Sequence, residues 1–135
     1  MLYYGQQRKT LAHYRIERAK EMLEASEQNL KIEQYRISLN RSYYAIFHAM
    51  RSINILEGYD SSKHSGVIAY FTQTFLKTER IDRSLARIIK KASYLREKSD
   101  YDDFYIASKE ETQNQLEMQN VLLKNCKIQS KGMLQ

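Results

Sequence analysis

LNRSYYAIFHAMRSI, residues 39–53, is the stretch whose reading decides the fold. It contains neither proline nor glycine, and its large apolar side chains Leu39, Tyr43, Ile46, Met50 and Ile53 recur every three or four residues. At ~100° per residue these five fall within ~40° of one line along a helix, which makes a core-facing stripe. The opposite side should be polar if the helix were simply amphipathic. Instead Ile37, Arg41, Tyr44, Ala45, His48 and Ile55 lie ~140–240° from that line. A helix apolar on two sides is expected to be buried on two sides. The economical solution for a chain of 135 residues is a two-fold dimer with this helix at the interface. The alternative is that another helix of the same chain covers the second side.

Working outward, the same period finds four more helices. The first is expected over 6–29, with Ala12, Ile16, Ala19, Leu23 and Leu30 on its stripe. The second runs over 32–57 and ends at Gly58, where a left-handed cap favours glycine. Tyr59–Ser62 reads as a loop. The third helix covers 63–77 with Ile68, Phe71 and Phe75 inward. The fourth covers 82–98 behind Asp82 as N-cap, with Ile81, Leu85, Ile88, Ala92 and Leu95 inward. Ser99–Ala107, acidic and aromatic, reads as a connection. Ser108 and Glu111 have capping-box spacing and open a fifth helix to about Lys127, anchored by Leu116 and Leu123, with 128–135 fraying. Composition agrees: the chain has no proline and only Gly5, Gly58, Gly66 and Gly132, too few breakers for a turn-rich sandwich or a doubly wound sheet. The expectation is an all-α antiparallel bundle of about five helices, one domain over 1–135 with its core at about 6–127.

Hydrophobic residues make up 42% and charged residues 28%, which excludes a wholly disordered chain. No apolar run is long enough to span a membrane, and no basic-then-apolar leader opens the sequence, so neither a membrane location nor secretion is expected. The single cysteine, Cys126, excludes a disulfide framework and a thiolate zinc cluster, and points to a reducing, cytoplasmic compartment. The net charge of +6 is compatible with a polyanionic partner such as RNA.

Arg41 and His48 stand seven residues apart on the second face of helix two, about two turns along. Histidine exchanges a proton near neutral pH, and arginine grips phosphate through a planar fork. Together they supply an acid/base and an oxyanion clamp for phosphodiester chemistry without a metal. Burying an arginine among apolar residues also needs a reason.

The stretch Asn40–Met50 closely resembles the second-helix signature of HEPN domains. The resemblance continues through Lys63-His-Ser-Gly-Val-Ile68, Phe71, Phe75, Arg96 and Asp100-Tyr101, and spans about Arg15 to Lys124. It implies a helical bundle that commonly dimerises. It also implies a metal-independent endoribonuclease whose Arg and His, separated by four to six residues, are here Arg41 and His48, with polar Ser42 after the arginine. Products would be a cyclic phosphate and a free 5′-hydroxyl. Such proteins are frequently encoded as toxins beside a small nucleotidyltransferase antitoxin. In one branch a tyrosine two residues after the histidine is modified by that partner; here the position holds Met50.

Further candidates come from spacing. Arg80, Arg83, Arg87 and Lys90, with Lys91 beside them, form one stripe that could track a phosphate backbone or be a solvated helix face. Lys63, His64 and Tyr44 are candidate RNA contacts, with snorkelling or packing as the other reading. Tyr43 and Tyr70 read as core or rim, Asp100 and Tyr101 as holding the connection to helix five, and Cys126 as structural. His13 has no partner at ligand spacing, and no metal site or cofactor is expected. Two further readings stay beside the nuclease: a non-catalytic module that binds nucleotides or RNA and docks a nucleotidyltransferase, and a purely structural dimerisation domain.

Overall fold

α2 sits at the centre of the architecture because it is the helix with two packed sides. The computed structural model describes residues 5–134. α1 covers Gly5–Lys31, α2 Tyr35–Leu56, α3 His64–Phe71, α4 Ala86–Tyr101 and α5 Lys109–Met133. The chain is an all-α antiparallel bundle of five helices, and no strand occurs among the described residues. None of their helices is long and apolar enough to cross a membrane.

The core stripe of α2 packs as its period requires: Leu39, Tyr43, Ile46, Met50 and Ile53 are all at most 2% exposed. Four of them join one cluster with Phe71, Phe75, Ile88, Leu122 and Leu123, while Leu39 packs with Leu95 and Ala107 at one end of the bundle. Truncating one of these large side chains to alanine leaves a cavity costing about 2–5 kcal/mol.

The second packed side of α2 faces α1 through small residues. Ser52 Oγ donates to the Ala12 carbonyl at 2.7 Å. At the other end of the same seam, Ser26 Oγ donates to the Ser38 carbonyl and Ser38 Oγ to the Ser26 carbonyl, both at 2.8 Å. Midway stand Ala19 and Ala45, each fully buried. Ala12-Ala19-Ser26 and Ser38-Ala45-Ser52 are thus two heptad-spaced series of small residues that let antiparallel backbones approach closely, with every hydroxyl paired. This corrects the placing of Ala45 on an outward, dimer-forming face, because α1 covers it. Ile55 is also fully buried within the protomer. What α2 still offers outward is narrower: Ile37 and Arg41 exposed, Tyr44 and His48 half-buried.

Helix ends explain the other departures. Gly58 does cap α2, at φ 90°, with Tyr59 N–H reaching back to the Asn54 carbonyl at 3.1 Å. α1 uses the same device at Glu33, φ 64°, and the third helix at Glu79, φ 58°; neither is a glycine, so composition gave no sign of them. The third helix is α-helical to Phe71 and then takes one π turn, Thr72–Leu76. Asp82 caps the fourth, accepting from Ser84 N–H at 3.0 Å, and the first turn, Arg83–Leu85, is a 3₁₀ helix. α4 runs through Ser99–Tyr101, where the acidic and aromatic composition points to a connection. Arg36 of α2 satisfies its terminal carbonyls, donating to Ser99 O at 2.9 Å and to Asp102 O at 3.1 Å. Ser108 caps α5 through Glu111 N–H at 3.1 Å. That helix continues to Met133 instead of fraying from 128, because burial continues through Cys126 to Met133, which packs against the core. Its inner face includes Gln115 and Gln119, each 1% exposed, so the apolar period understated its length.

Candidate functional site

α2 carries Arg41, Tyr44, His48 and Arg51 along its outward face at intervals of three and four residues. His48 is half-buried, with Tyr44 at 6.4 Å and Phe47 at 5.9 Å between ring centres. Next to it lies an ion-pair group that joins α1, α2 and the loop after α2. Arg15, 7% exposed, donates to Asp60 Oδ2 at 2.9 Å and to the Arg51 carbonyl at 3.4 Å. Arg51 donates to Asp60 Oδ1 at 2.8 Å. Burial works against the Asp60 carboxylate, but hydrogen bonds from Arg15 and Arg51 outweigh it and hold its pKa below the usual value. Gly66 of α3 lies against this loop: a Cβ there would stand 2.9 Å from the Tyr59 hydroxyl.

Asp60 is shared by Arg15 and Arg51, and Arg18 pairs with Glu21 at 3.1 Å on the exposed side of α1, so three arginines stand against two carboxylates near His48. Burial first, then the charges of Arg18, Arg51 and Arg15, lower the His48 pKa to about 4. The ring is therefore neutral at pH 7 and able to accept a proton. The folded value lies below the unfolded value of about 6.5, so between these the unfolded chain binds more protons. The contribution of His48 is complete above about pH 6.5 and is lost as pH falls toward 4. We expect an NMR titration of the His48 imidazole to show a midpoint near 4 in the free protein. A midpoint at 6.5 would mean the ring is solvated and unperturbed.

Arg41 is exposed, and its Nη1 donates to Asn40 Oδ1 at 3.1 Å. Asn40 in turn donates to the Asp100 carboxylate at 3.4 Å, and Asp100 accepts from Arg96 at 3.3 Å. Arg96 lies over the Tyr43 ring, 4.9 Å from its centre. A shallow hollow of about 200 Å³ opens here, lined by Arg36, Ile37, Asn40, Arg41 and Asp100. Asp100 thus holds α4 to α2, in the last turn of α4 and not in a connection, while Tyr101 is exposed.

His64, the first residue of α3, closes the other flank. Its Nδ1 is 2.7 Å from the Tyr43 hydroxyl, its ring stacks on Phe47 at 4.3 Å, and Tyr44 meets it edge-on at 5.7 Å. Burial, then the charge of Arg96, lower its pKa as well. Lys63 is exposed beside it. Tyr44 and His64 therefore border the face that bears Arg41 and His48, and Lys63 precedes His64 as the N-cap residue of α3.

The basic stripe does not. Arg83, Arg87 and Lys90 are exposed, on the side of the fourth helix opposite its buried residues Ile88, Ile89, Ala92 and Leu95. Arg80 leaves the stripe altogether: it pairs with Glu57 at 2.7 Å and lies over Phe75 at 4.6 Å. His13 is exposed on α1, Tyr70 stacks on Tyr59 at 4.1 Å, and Met50 is fully buried. Burial pushes the Cys126 thiol up to about 12, so it is inert. Among the described residues no group of three or more His, Cys, Asp or Glu is placed to hold a metal ion.

Sequence reasoning missed Arg51, Asp60, Arg15 and Asn40. Arg51 could have been found, since it follows His48 by three residues on the same face. The meeting of Asp60 with Arg15 depends on a loop geometry that spacing does not show.

Comparison with known proteins matches residues 12–129 to the model of the HEPN domain. A Methanocaldococcus jannaschii protein named "Putative toxin MJ0142" is 33% identical over 112 residues, covering 83% of this chain and 76% of its own length. A "UPF0332 protein" of Thermotoga maritima is 31% identical over 97 residues, covering 72% of this chain and 74% of its own. In the fold, the chain is similar to the crystal structure of TT1696 from Thermus thermophilus, with a TM-score of 0.74 at 15% identity over 87% of this chain and 97% of that one.

Proposed function

The chain belongs to the HEPN domain family, and on that footing we propose that it is a metal-independent endoribonuclease, the toxin of a toxin–antitoxin pair, cutting RNA with Arg41 and His48. The observation that carries this reading is His48 itself: a half-buried, neutral imidazole among Arg15, Arg18 and Arg51, on the same helix face as Arg41. A neutral base ringed by cations suits an anionic substrate with a proton to lose.

In this reading His48 takes the proton of an RNA 2′-hydroxyl, and that oxygen attacks the adjacent phosphorus. The bond to the 5′-oxygen breaks, and protonated His48 returns the proton to that leaving oxygen. Arg41 releases Asn40, swings as an exposed side chain can, and offsets charge on the non-bridging oxygens. The negative charge of the bound phosphodiester raises the His48 pKa from about 4 toward neutrality, where proton transfer is most efficient. Purified protein in excess chelator should yield fragments ending in a 2′,3′-cyclic phosphate and a 5′-hydroxyl; 3′-hydroxyl ends, or loss of cutting in chelator, would sink the mechanism.

The remaining partners belong to the same proposal. To the toxin reading we add a nucleotidyltransferase antitoxin and cytoplasmic action, which the resemblance to HEPN domains implies. A two-fold dimer would pair the outward part of α2 around Ile37 and leave Arg41, Tyr44 and His48 lining a cleft open to RNA, and sedimentation would read it. Arg83, Arg87 and Lys90 would meet the backbone of an RNA long enough to pass round the fourth helix.

A further inference from the structure

We propose that His64 is a second substrate-facing group of the Arg41/His48 site, its Nε2–H donating a hydrogen bond to a phosphate oxygen of the bound RNA. The inference rests on the RNA-cleaving reading above but is carried by a separate arrangement. His64 is fixed on three sides: the Tyr43 hydroxyl at 2.7 Å from Nδ1, the Phe47 ring stacked beneath it at 4.3 Å, and Tyr44 edge-on at 5.7 Å. The Tyr43 bond fixes which way the ring is turned and so which nitrogen is left for another partner. Tyr43 is 1% exposed, and in the proposed arrangement its hydroxyl donates to Nδ1. A neutral imidazole has one donor and one acceptor nitrogen. With Nδ1 accepting from Tyr43, the proton sits on Nε2, the nitrogen that this bond leaves over.

The place of the ring decides what that donor can meet. Tyr44 neighbours both histidines, at 6.4 Å from His48 and 5.7 Å from His64, so the two rings border one half-buried aromatic surface. A base stacked on Tyr44 would leave its flanking phosphates between His48 and His64. Lys63, exposed at the start of α3, adds charge on the same flank, and Arg96 lies behind Tyr43. The groups facing His64 are thus Tyr43, Tyr44, Phe47 and the charge of Arg96, and among the described residues no carboxylate acts on it.

The test separates binding from cutting by using a single-stranded RNA oligonucleotide methylated at every 2′-oxygen, which cannot be cleaved. His64→Ala should weaken its binding about ten- to a hundredfold, the range for one hydrogen bond to a charged group. His64→Gln, whose amide nitrogen can take the place of Nε2, should recover much of the loss, which a merely structural role would not allow. Tyr43→Phe should shift the 15N signature of His64 from the Nε2–H tautomer to a mixture. In the wild type, added oligonucleotide should shift the His64 imidazole signal, a readout that holds even if the alanine variant folds poorly. Unchanged affinity in both His64 variants, or an unmoved imidazole signal, would overturn the proposal while leaving the nuclease reading intact. Wild-type protein that binds this probe but cuts no unmethylated RNA would overturn the nuclease alone, and binding would still decide His64. Wild-type protein that does not bind the probe would overturn the His64 proposal, and cleavage of unmethylated RNA would still decide the nuclease.

Discussion

His48→Ala is expected to lower the rate of RNA cleavage by about 10²–10⁴, the range for removing a general acid/base. The side chain is half-buried on α2 and contributes no hydrogen bond to the core stripe, which is held by Tyr43, Ile46, Met50 and Ile53. The loss should therefore be catalytic and not structural: circular dichroism and sedimentation of the variant should match the wild type. The variant should also lack the share of acid sensitivity that His48 contributes between about pH 6.5 and 4, since the ring whose pKa folding lowers to about 4 is gone. RNA affinity should change little, because the neutral ring is not the main source of positive charge; Arg15, Arg18 and Arg51 remain. Equal cleavage by His48→Ala and wild type would remove His48 from the chemistry.

Arg41→Ala should do comparable damage, and the route is different. The guanidinium is exposed and bonded only to Asn40 among the contacts that define this flank, so its removal costs the fold little. What is lost is the planar fork that offsets charge on the phosphate as the 2′-oxygen attacks. Removing one such donor costs about 10²–10³ in rate. Arg41→Lys should rescue little, because a point charge on a flexible stem cannot make the bidentate contact. A lysine variant with near wild-type rates would mean that positive charge alone suffices, and that the geometry of Arg41 is irrelevant. The loss should fall on kcat more than on KM, since the contact strengthens as charge develops.

The helices were legible wherever apolar residues kept their period. The stripe from Leu39 to Ile53 is buried as read, and Gly58, Asp82 and Ser108 cap where their side chains or freedom allow it. What stayed hidden used polar or small residues for structural work. Ala45 looked like part of an outward face because alanine carries little preference. It lies instead with Ala19 in a seam whose hydroxyls at Ser26, Ser38 and Ser52 bind backbone carbonyls. Gln115 and Gln119 lie inside α5, so its inner face did not read as apolar. Glu33 and Glu79 end helices in a conformation usually left to glycine.

The candidate site divides in the same way. Arg41 and His48 share one helix, so spacing could place them on one face. Lys63 and His64 come to that face from the start of α3, and only the Tyr43–His64 bond shows why. Asp60 and Arg15 meet across 45 residues of sequence. Arg80 went the other way: its spacing fitted a phosphate-tracking stripe, but Glu57 and Phe75, out of register with that stripe, hold it. Long-range pairs of this kind leave no period behind, and a single sequence offers no other signal for them.

The central claim is that the 2′-hydroxyl of RNA is the attacking group and that His48 and Arg41 act on it without a metal. It is tested most directly by two oligonucleotides that differ only in a 2′-deoxy substitution at the cleaved position, incubated with the wild-type protein in excess chelator. The account predicts that the all-ribose strand is cut at that position and the substituted strand is not. Cleavage of both strands at the same bond would contradict it, because the nucleophile would then have to be something other than the neighbouring hydroxyl.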